Sequence, residues 1–256
     1  MNNMQQTIAV VAASVQGTSH RPKGVPCQDA HYFQRLGDGI LIGAVADGAG
    51  SAKLSEIGSK LASELSVRAM KLKISALGLN FESEAEWSLF AMDVLETTLE
   101  FLKEQAEVLQ IPVDYLSSTL ILVVASKNFV ATAHIGDGAV VLKDTAGNIS
   151  TISKPQNGEY ANATTFITSA DALSTVQFSL WKGEVCNLAL FTDGLQRLAL
   201  QHLTHAPFEP FFSMLFQFFA LITDEAKAVS ELERFLGSPQ ITSRTDDDLT
   251  LFLVTL

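Results

Sequence analysis

A chain of 256 residues, 47% hydrophobic and 18% charged, is long enough for one well-buried core and too apolar to be disordered. Its formal net charge of −11 repels nucleic acid, and no basic run offsets it. The two cysteines, Cys27 and Cys186, make neither a disulfide framework nor a metal-type spacing, so reduced, buried thiols in a cytoplasmic protein are expected. The N-terminus lacks the basic-apolar-small order of a secretory signal. The most apolar stretch, Phe208 to Ile222, is interrupted by Glu209, Pro210 and Gln217 and falls short of the roughly 20 residues that span a bilayer, so no membrane partner is expected. No Pro/Ser-rich or charged linker breaks the chain, and residues 1–256 read as a single domain.

Ile8 to Val15 reads as a strand, and Gly39 to Val45, apolar on both faces, as a central one. From Ser51 to Ser75 the period changes: Leu54, Ile57, Leu61, Leu65, Ala69 and Leu72 recur at helical spacing. A second helix is predicted from Glu84 to Gln110, with Ser83 and Glu86 as a capping box and Ile111-Pro112 as its stop. Short apolar runs follow at 118–125, 129–135, 139–142, 163–167, 176–181 and 185–191, with a hairpin turn at 144–148. The connections are too short for parallel crossovers, so pairing is expected to be mostly antiparallel. Helices return at 208–221 and 224–236, the latter capped by Thr223, and Leu249 to Thr255 is the last strand. Periodicity alone therefore gives an α+β chain with a large antiparallel sheet.

Two apolar runs end in Asp-Gly: Val45-Ala46-Asp47-Gly48 and Phe191-Thr192-Asp193-Gly194. A buried strand holds its terminal carboxylate rigidly, and the glycine leaves a carbonyl accessible. Hard divalent cations take such oxygen ligands. Two further acidic segments abut predicted strands: Pro26-Cys27-Gln28-Asp29, preceded by Gly17-Thr18-Ser19-His20, and Thr245-Asp246-Asp247-Asp248-Leu249-Thr250. Gly136-Asp137-Gly138 lies between two more strand-like runs. No Gly-x4-Gly-Lys-[Ser/Thr] loop, Asp-x-Asp-x-Thr nucleophile loop or Cys-x5-Arg phosphatase loop occurs.

These five motifs, in this order from about Val15 to Val254, resemble the metal-dependent protein phosphatases of the PP2C (PPM) family. The nearest likeness is to the bacterial branch with a Gly-x-Ser-His and Pro-Cys-Gln-Asp N-terminal motif. The resemblance implies a four-layer α-β-β-α sandwich of two mostly antiparallel sheets flanked by helix pairs. It implies a serine/threonine protein phosphatase in which water between two Mn²⁺ or Mg²⁺ ions attacks phosphorus, with no covalent phosphoenzyme. Position by position, it implies Asp47 as the ligand bridging both ions and the Gly48 carbonyl as a ligand of the second. Asp193 and Asp247 would be ligands of the first, Asp29 would supply the N-terminal acid, and Asp137 would serve a third, weaker site. Phosphoprotein substrates are implied, with a Ser/Thr kinase as a plausible functional partner.

The chain departs from the family where most members carry an arginine that clamps the substrate phosphate. Here the segment before Asp29 is longer and Gln28 stands at the first acidic position. His20 and then Arg21 are the candidates for that substrate-binding role, His20 also as a catalytic residue beside Asp47 and Asp193; Lys23 is a further nearby cation. The triple acid at 246–248 leaves the register open; Asp247 is favoured because Thr250 then falls three residues on, and Asp248 is left to accept backbone hydrogen bonds. The rival reading is a catalytically weak or silent PP2C-like regulatory or sensing module. His31, His134, His202 and His205 have no partner pattern and read as structural or exposed, and Cys27 reads as packing.

Overall fold

The computed structural model describes residues 8–78, 81–156, 164–221 and 223–256. Ten strands form two five-stranded sheets. The first contains β1 (Ala9–Val15), β6 (Ala139–Asp144), β7 (Ile149–Ser153), β9 (Val185–Phe191) and β10 (Leu249–Thr255), in the order β1-β10-β9-β6-β7. The second contains β2 (Asp29–Leu36), β3 (Ile40–Asp47), β4 (Leu120–Ser126), β5 (Phe129–Ile135) and β8 (Gln177–Lys182), in the order β2-β3-β4-β5-β8. Neighbouring strands are antiparallel throughout both sheets. Helices α1 (Ser55–Leu77) and α2 (Glu84–Leu109) cover the second sheet. The first is covered by the short α3 (Gln196–Ala199), α4 (Glu209–Ala220), α5 (Glu225–Leu236) and the short α6 (Pro239–Thr242).

The strands' period of two builds three apolar layers. In β3, Ile42, Ala44 and Ala46 face α1 and α2, while Leu41 and Val45 face the other sheet. In β10, Leu249, Leu251 and Leu253 face the α4 and α5 side, while Phe252 and Val254 point between the sheets. The same alternation continued by two residues puts Asp47 on the inter-sheet side of β3, where that layer ends. Chain polarity and hydrophobic pattern together thus deliver an acid to one end of the sandwich.

Local signals explain most element ends. Ser83 Oγ accepts the Glu86 backbone N–H at 3.2 Å and opens α2. The Glu86 carboxylate takes the Glu82 N–H at 2.9 Å, one residue earlier than in a simple capping box. Gln110, at φ 56°, closes α2 in the left-handed region ahead of Pro112. Four sequence expectations need correction. The cap of α5 is Asp224, whose carboxylate accepts the Lys227 N–H at 3.1 Å, rather than Thr223, since a carboxylate also complements the helix dipole. The strand expected at 163–167 is absent over 164–167, Ala163 lying outside the described residues; Ile167 instead sits in a turn, buried against α1 and α2. The strand β7 follows the hairpin turn at an edge of its sheet, where half-buried alternation gave little signal. Cys27 and Cys186 are free thiols as expected, but only half-buried. No helix among the described residues is long and apolar enough to cross a membrane.

Trp87 anchors the α2 layer. It is fully buried, lies 5.1 Å from the Phe81 ring and 5.8 Å from the Phe90 ring, and donates its indole N–H to the Thr132 carbonyl at 2.7 Å. Trp87→Ala should cost about 3–5 kcal/mol in urea unfolding. Trp87→Phe, which keeps most of the packing and loses the hydrogen bond, should cost about 1–3 kcal/mol.

Candidate metal centre

Three strand ends meet where the inter-sheet layer opens. Asp47 terminates β3, in register with Asp29 at the start of β2. Thr119 holds it from the other side: the Asp47 N–H is donated to Thr119 Oγ1 at 2.9 Å, and the Thr119 N–H to the Asp47 carbonyl at 2.8 Å. Asp193 follows β9 by two residues. Asp137 occupies the turn by which the chain crosses from β5 in one sheet to β6 in the other. One carboxylate oxygen from each of Asp47, Asp137 and Asp193 lies within 4.8 Å of the other two. The glycines beside these acids are there for close approach. A Cβ on Gly48 would come within 2.6 Å of the Ser55 carbonyl oxygen, and one on Gly194 within 2.2 Å of the Asp248 carbonyl oxygen.

Asp29 lies beneath this trio. Thr192 donates its hydroxyl to Asp29 Oδ2 at 2.7 Å, while Asp29 Oδ1 is buried without a partner, as is Asp193 Oδ1. So many carboxyls in a desolvated place resist ionisation. Burial, with the charges of Asp248 and Asp193 adding to it, pushes Asp29 up to about 8 against the help of the Thr192 and Thr250 hydroxyls. Burial and then Asp137 push Asp193 up to about 6. Burial, Asp29 and Asp193 hold Asp47 well above the ordinary carboxylate range. Asp137 is raised by burial too, and the Thr164 hydroxyl, donated to its Oδ2 at 2.6 Å, opposes the shift. Buried oxygens without donors, crowded by like charge, fit a divalent cation: it supplies the missing positive charge and takes hard oxygen ligands.

The remaining predicted residues separate into rim, support and outside. Asp248 is buried and accepts three hydrogen bonds, from the Gly17 N–H at 2.6 Å, the Gln28 N–H at 2.6 Å and His20 Nδ1 at 3.0 Å. Its neighbour Asp247 is exposed, and its carboxylate accepts the Asp248 N–H at 2.9 Å while lining the central cavity of about 170 Å³. Both acids line that cavity; Asp248 is occupied there as a buried strut, while Asp247 is exposed and its carboxylate takes only the neighbouring N–H among the described residues. Gly48 and His20 line the same cavity. Arg21 does not: it is exposed, and its guanidinium reaches only the Gln16 carbonyl at 3.4 Å. Gln28, at the first acidic position, donates its amide to Ser55 Oγ at 2.6 Å and ties the loop to α1.

Cys27 is no nucleophile by its surroundings. Burial, and the charges of Asp29 and Asp248, push its thiol far above the ordinary range. Burial holds His31 down to about 4 and His134 down to about 3, each bonded to a serine hydroxyl at 2.9 Å, so both are neutral structural histidines. Sequence reasoning missed Thr119, Thr164 and Gln196, whose amide donates to the Asp137 carbonyl. All three are common polar residues with no motif of their own; only the assembled strand ends give them a partner.

The raised carboxyls make a stability prediction with a definite sign. The folded state holds these protons to a higher pH than the unfolded chain, whose ordinary value is 3.8. Between the two values the folded state carries more protons, so raising the pH destabilises it. The melting temperature of metal-free protein should fall from about pH 5 to about pH 8, where Asp29 ionises, and divalent cation should restore it most at the alkaline end. A metal-free melting temperature that rises over that range would contradict the cluster's electrostatics.

The family model described as "Protein phosphatase 2C" matches residues 16–237. Serine/threonine-protein phosphatase 3 of Escherichia coli (strain K12) is 37% identical over 252 residues, covering 95% of this chain and 96% of the relative. Among solved structures, serine/threonine phosphatase Stp1 from Staphylococcus aureus superimposes with a TM-score of 0.63 at 14% identity, over 100% of this chain and 98% of that one. The S. agalactiae serine/threonine phosphatase gives 0.63 at 16% identity, over 97% and 99%. These two likenesses bear on the fold, a pair of antiparallel sheets between helical layers; the family match and the bacterial relative bear on descent. The chain belongs to the protein phosphatase 2C family, whose members are metal-dependent.

Proposed function

We propose that this chain is a metal-dependent serine/threonine protein phosphatase, one domain over residues 1–256, acting on phosphoserine and phosphothreonine in proteins. The observation that carries this reading is the convergence of Asp47, Asp137 and Asp193 on one point, with buried carboxylate oxygens left unpartnered beside it. The likeness to a serine/threonine-protein phosphatase at 37% identity supports the substrate class. Its substrates are then products of a Ser/Thr kinase. The two free thiols fit the cytoplasm, where such kinases and a reducing poise are found together.

Asp47, Asp193, Asp247, Asp29 and the Gly48 carbonyl would hold two Mn²⁺ or Mg²⁺ ions, and Asp137, which converges on Asp47 and Asp193, would serve a third, weaker site. Such ions supply a water of lowered pKa and a positive counterpart to the phosphoryl oxygens. The chain's own groups do the rest. Asp29 and Thr192 brace the floor from below. Asp248 fixes the His20 ring through Nδ1, which leaves Nε2 to contact a phosphoryl oxygen or to hold a proton at the departing serine or threonine oxygen. Arg21, turned toward Gln16, is the weaker substrate-binding candidate.

The direct test is release of phosphate from a phosphothreonine peptide, compared with a phosphotyrosine peptide, with Mn²⁺ and with excess chelator. Chelator should abolish turnover and Mn²⁺ restore it. Asp47→Asn should lower kcat by at least about a hundredfold, roughly 2.7 kcal/mol in the barrier, while the circular dichroism spectrum stays native. Hydrolysis undiminished by chelator would sink the reading. Cys27→Ser should keep most activity, because the thiol is held protonated by burial and by its acidic neighbours. A loss above about a hundredfold in folded Cys27→Ser protein would instead mark a thiolate mechanism.

A further inference from the structure

A second cleft, of about 400 Å³, opens beside the acidic cavity and shares His20, Gln28 and Gly50 with it as common walls. Its other charged lining residues are Lys23, Lys53 and Glu56. Lys23 and Lys53 are both exposed, and neither ammonium group makes a hydrogen bond or an ion pair with any described residue; the Lys23 backbone N–H is donated to the His20 carbonyl at 3.0 Å. Lys53 is still held in place, its Nζ standing 4.7 Å from the centre of the Tyr115 ring. Two such lysines against one carboxylate make this wall cationic in a chain whose net charge is −11. On another side of the centre, Arg197 and Arg244 line a cleft that they share with Asp193, Asp246 and Asp247, so their charge is offset where they stand.

We infer that the Lys23–Lys53 cleft is a specificity site for a second anionic group of the substrate: an acidic side chain, or another phosphate, next in sequence to the phosphorylated residue. The inference rests on the phosphatase reading and extends it to substrate selection. The cavity of about 170 Å³ among the carboxylates has room for one phosphoryl group and little else. A peptide placing its phosphate there must leave over the rim, and the shared walls at His20, Gln28 and Gly50 lead it into the cationic cleft. A neighbouring anion then meets two ammonium groups, whereas a neutral neighbour leaves both solvated and gains nothing. Lys53 lies in the turn between β3, which ends at Asp47, and α1, and Lys23 lies in the connection that leads into Asp29, so both adjoin segments that carry site acids.

The experiment uses two phosphothreonine peptides, one flanked by glutamates and one by alanines, with the full chain. The first readout is the ratio of kcat/KM values for the two peptides with Mn²⁺ present. The second is the ratio of their affinities for Asp47→Asn protein, measured by fluorescence anisotropy, which needs no turnover. Wild type should favour the acidic peptide in both, more strongly at low salt. Lys23→Ala and Lys53→Ala should each cut the preference by about fivefold, the upper end for an exposed ion pair. Lys53→Arg should retain it, and Lys103→Ala, which removes the same charge from the solvent face of α2, should leave the ratio in place. Equal treatment of the two peptides by wild type, or binding of neither, overturns the inference. So does an equal loss on both peptides in the lysine variants, which would place the lysines on the reacting phosphoryl group itself. If no peptide is hydrolysed the phosphatase reading fails, and the anisotropy ratio still decides whether the cleft selects anions.

Discussion

The structure turns on a repulsion. Asp29, Asp47, Asp137 and Asp193 are drawn together at the end of the inter-sheet layer, where burial raises the cost of each charge and every neighbour raises it further. Among the described residues no cation is paired with them; the hydroxyls of Thr164 and Thr192 donate to Asp137 and Asp29. A fold can hold such a cluster only if the strands that deliver it are fixed by other means. Here they are, by three apolar layers whose alternation leaves the carboxylates no other place to go. The instability is local, and a multivalent cation is the kind of group that would relieve it.

Asp248 is the mechanical complement of that cluster. Its one carboxylate gathers the backbone of Gly17, the backbone of Gln28 and the ring of His20, and so pins both ends of the one connection that carries the chain from β1 in one sheet to β2 in the other. A carboxylate accepting several N–H groups is largely satisfied where it lies. Two adjacent aspartates at the same cavity thus differ because one is buried among donors and the other is exposed.

How much of this could be read from sequence depended on whether a residue's neighbours lie along the chain or across it. Asp47 and Asp193 were legible because each closes an apolar run, and the pattern of two fixes the face. The layer arrangement was legible for the same reason, and the Ser83 start of α2 because capping is local. Asp137 was harder. A Gly-Asp-Gly turn looks like any hairpin until one sees that β5 and β6 belong to different sheets, so the turn bridges the layer and carries its acid to the centre. The bracing part of Asp248 needed the donors of Gly17 and Gln28, more than 200 residues away in sequence. Lys53 and Thr164 carried no local signal at all. The apolar segment around Ile167 misled because a buried turn and a buried strand have the same composition.

The place of β10 has one further consequence. It is the last strand in the chain, yet it lies inside its sheet, between β1 and β9 rather than at an edge. Until it is synthesised, β1 has no partner in its sheet, the Asp248 strut is missing, and the loops of Gly17 and Gln28 have nothing to close on. A nascent chain emerging from the ribosome therefore holds Asp29, Asp47, Asp137 and Asp193 without the frame that brings them together. Such long-range closure is slow compared with local helix formation. It also means that competence arrives in one step, when β10 is inserted, and that a product truncated before β10 lacks the assembled site.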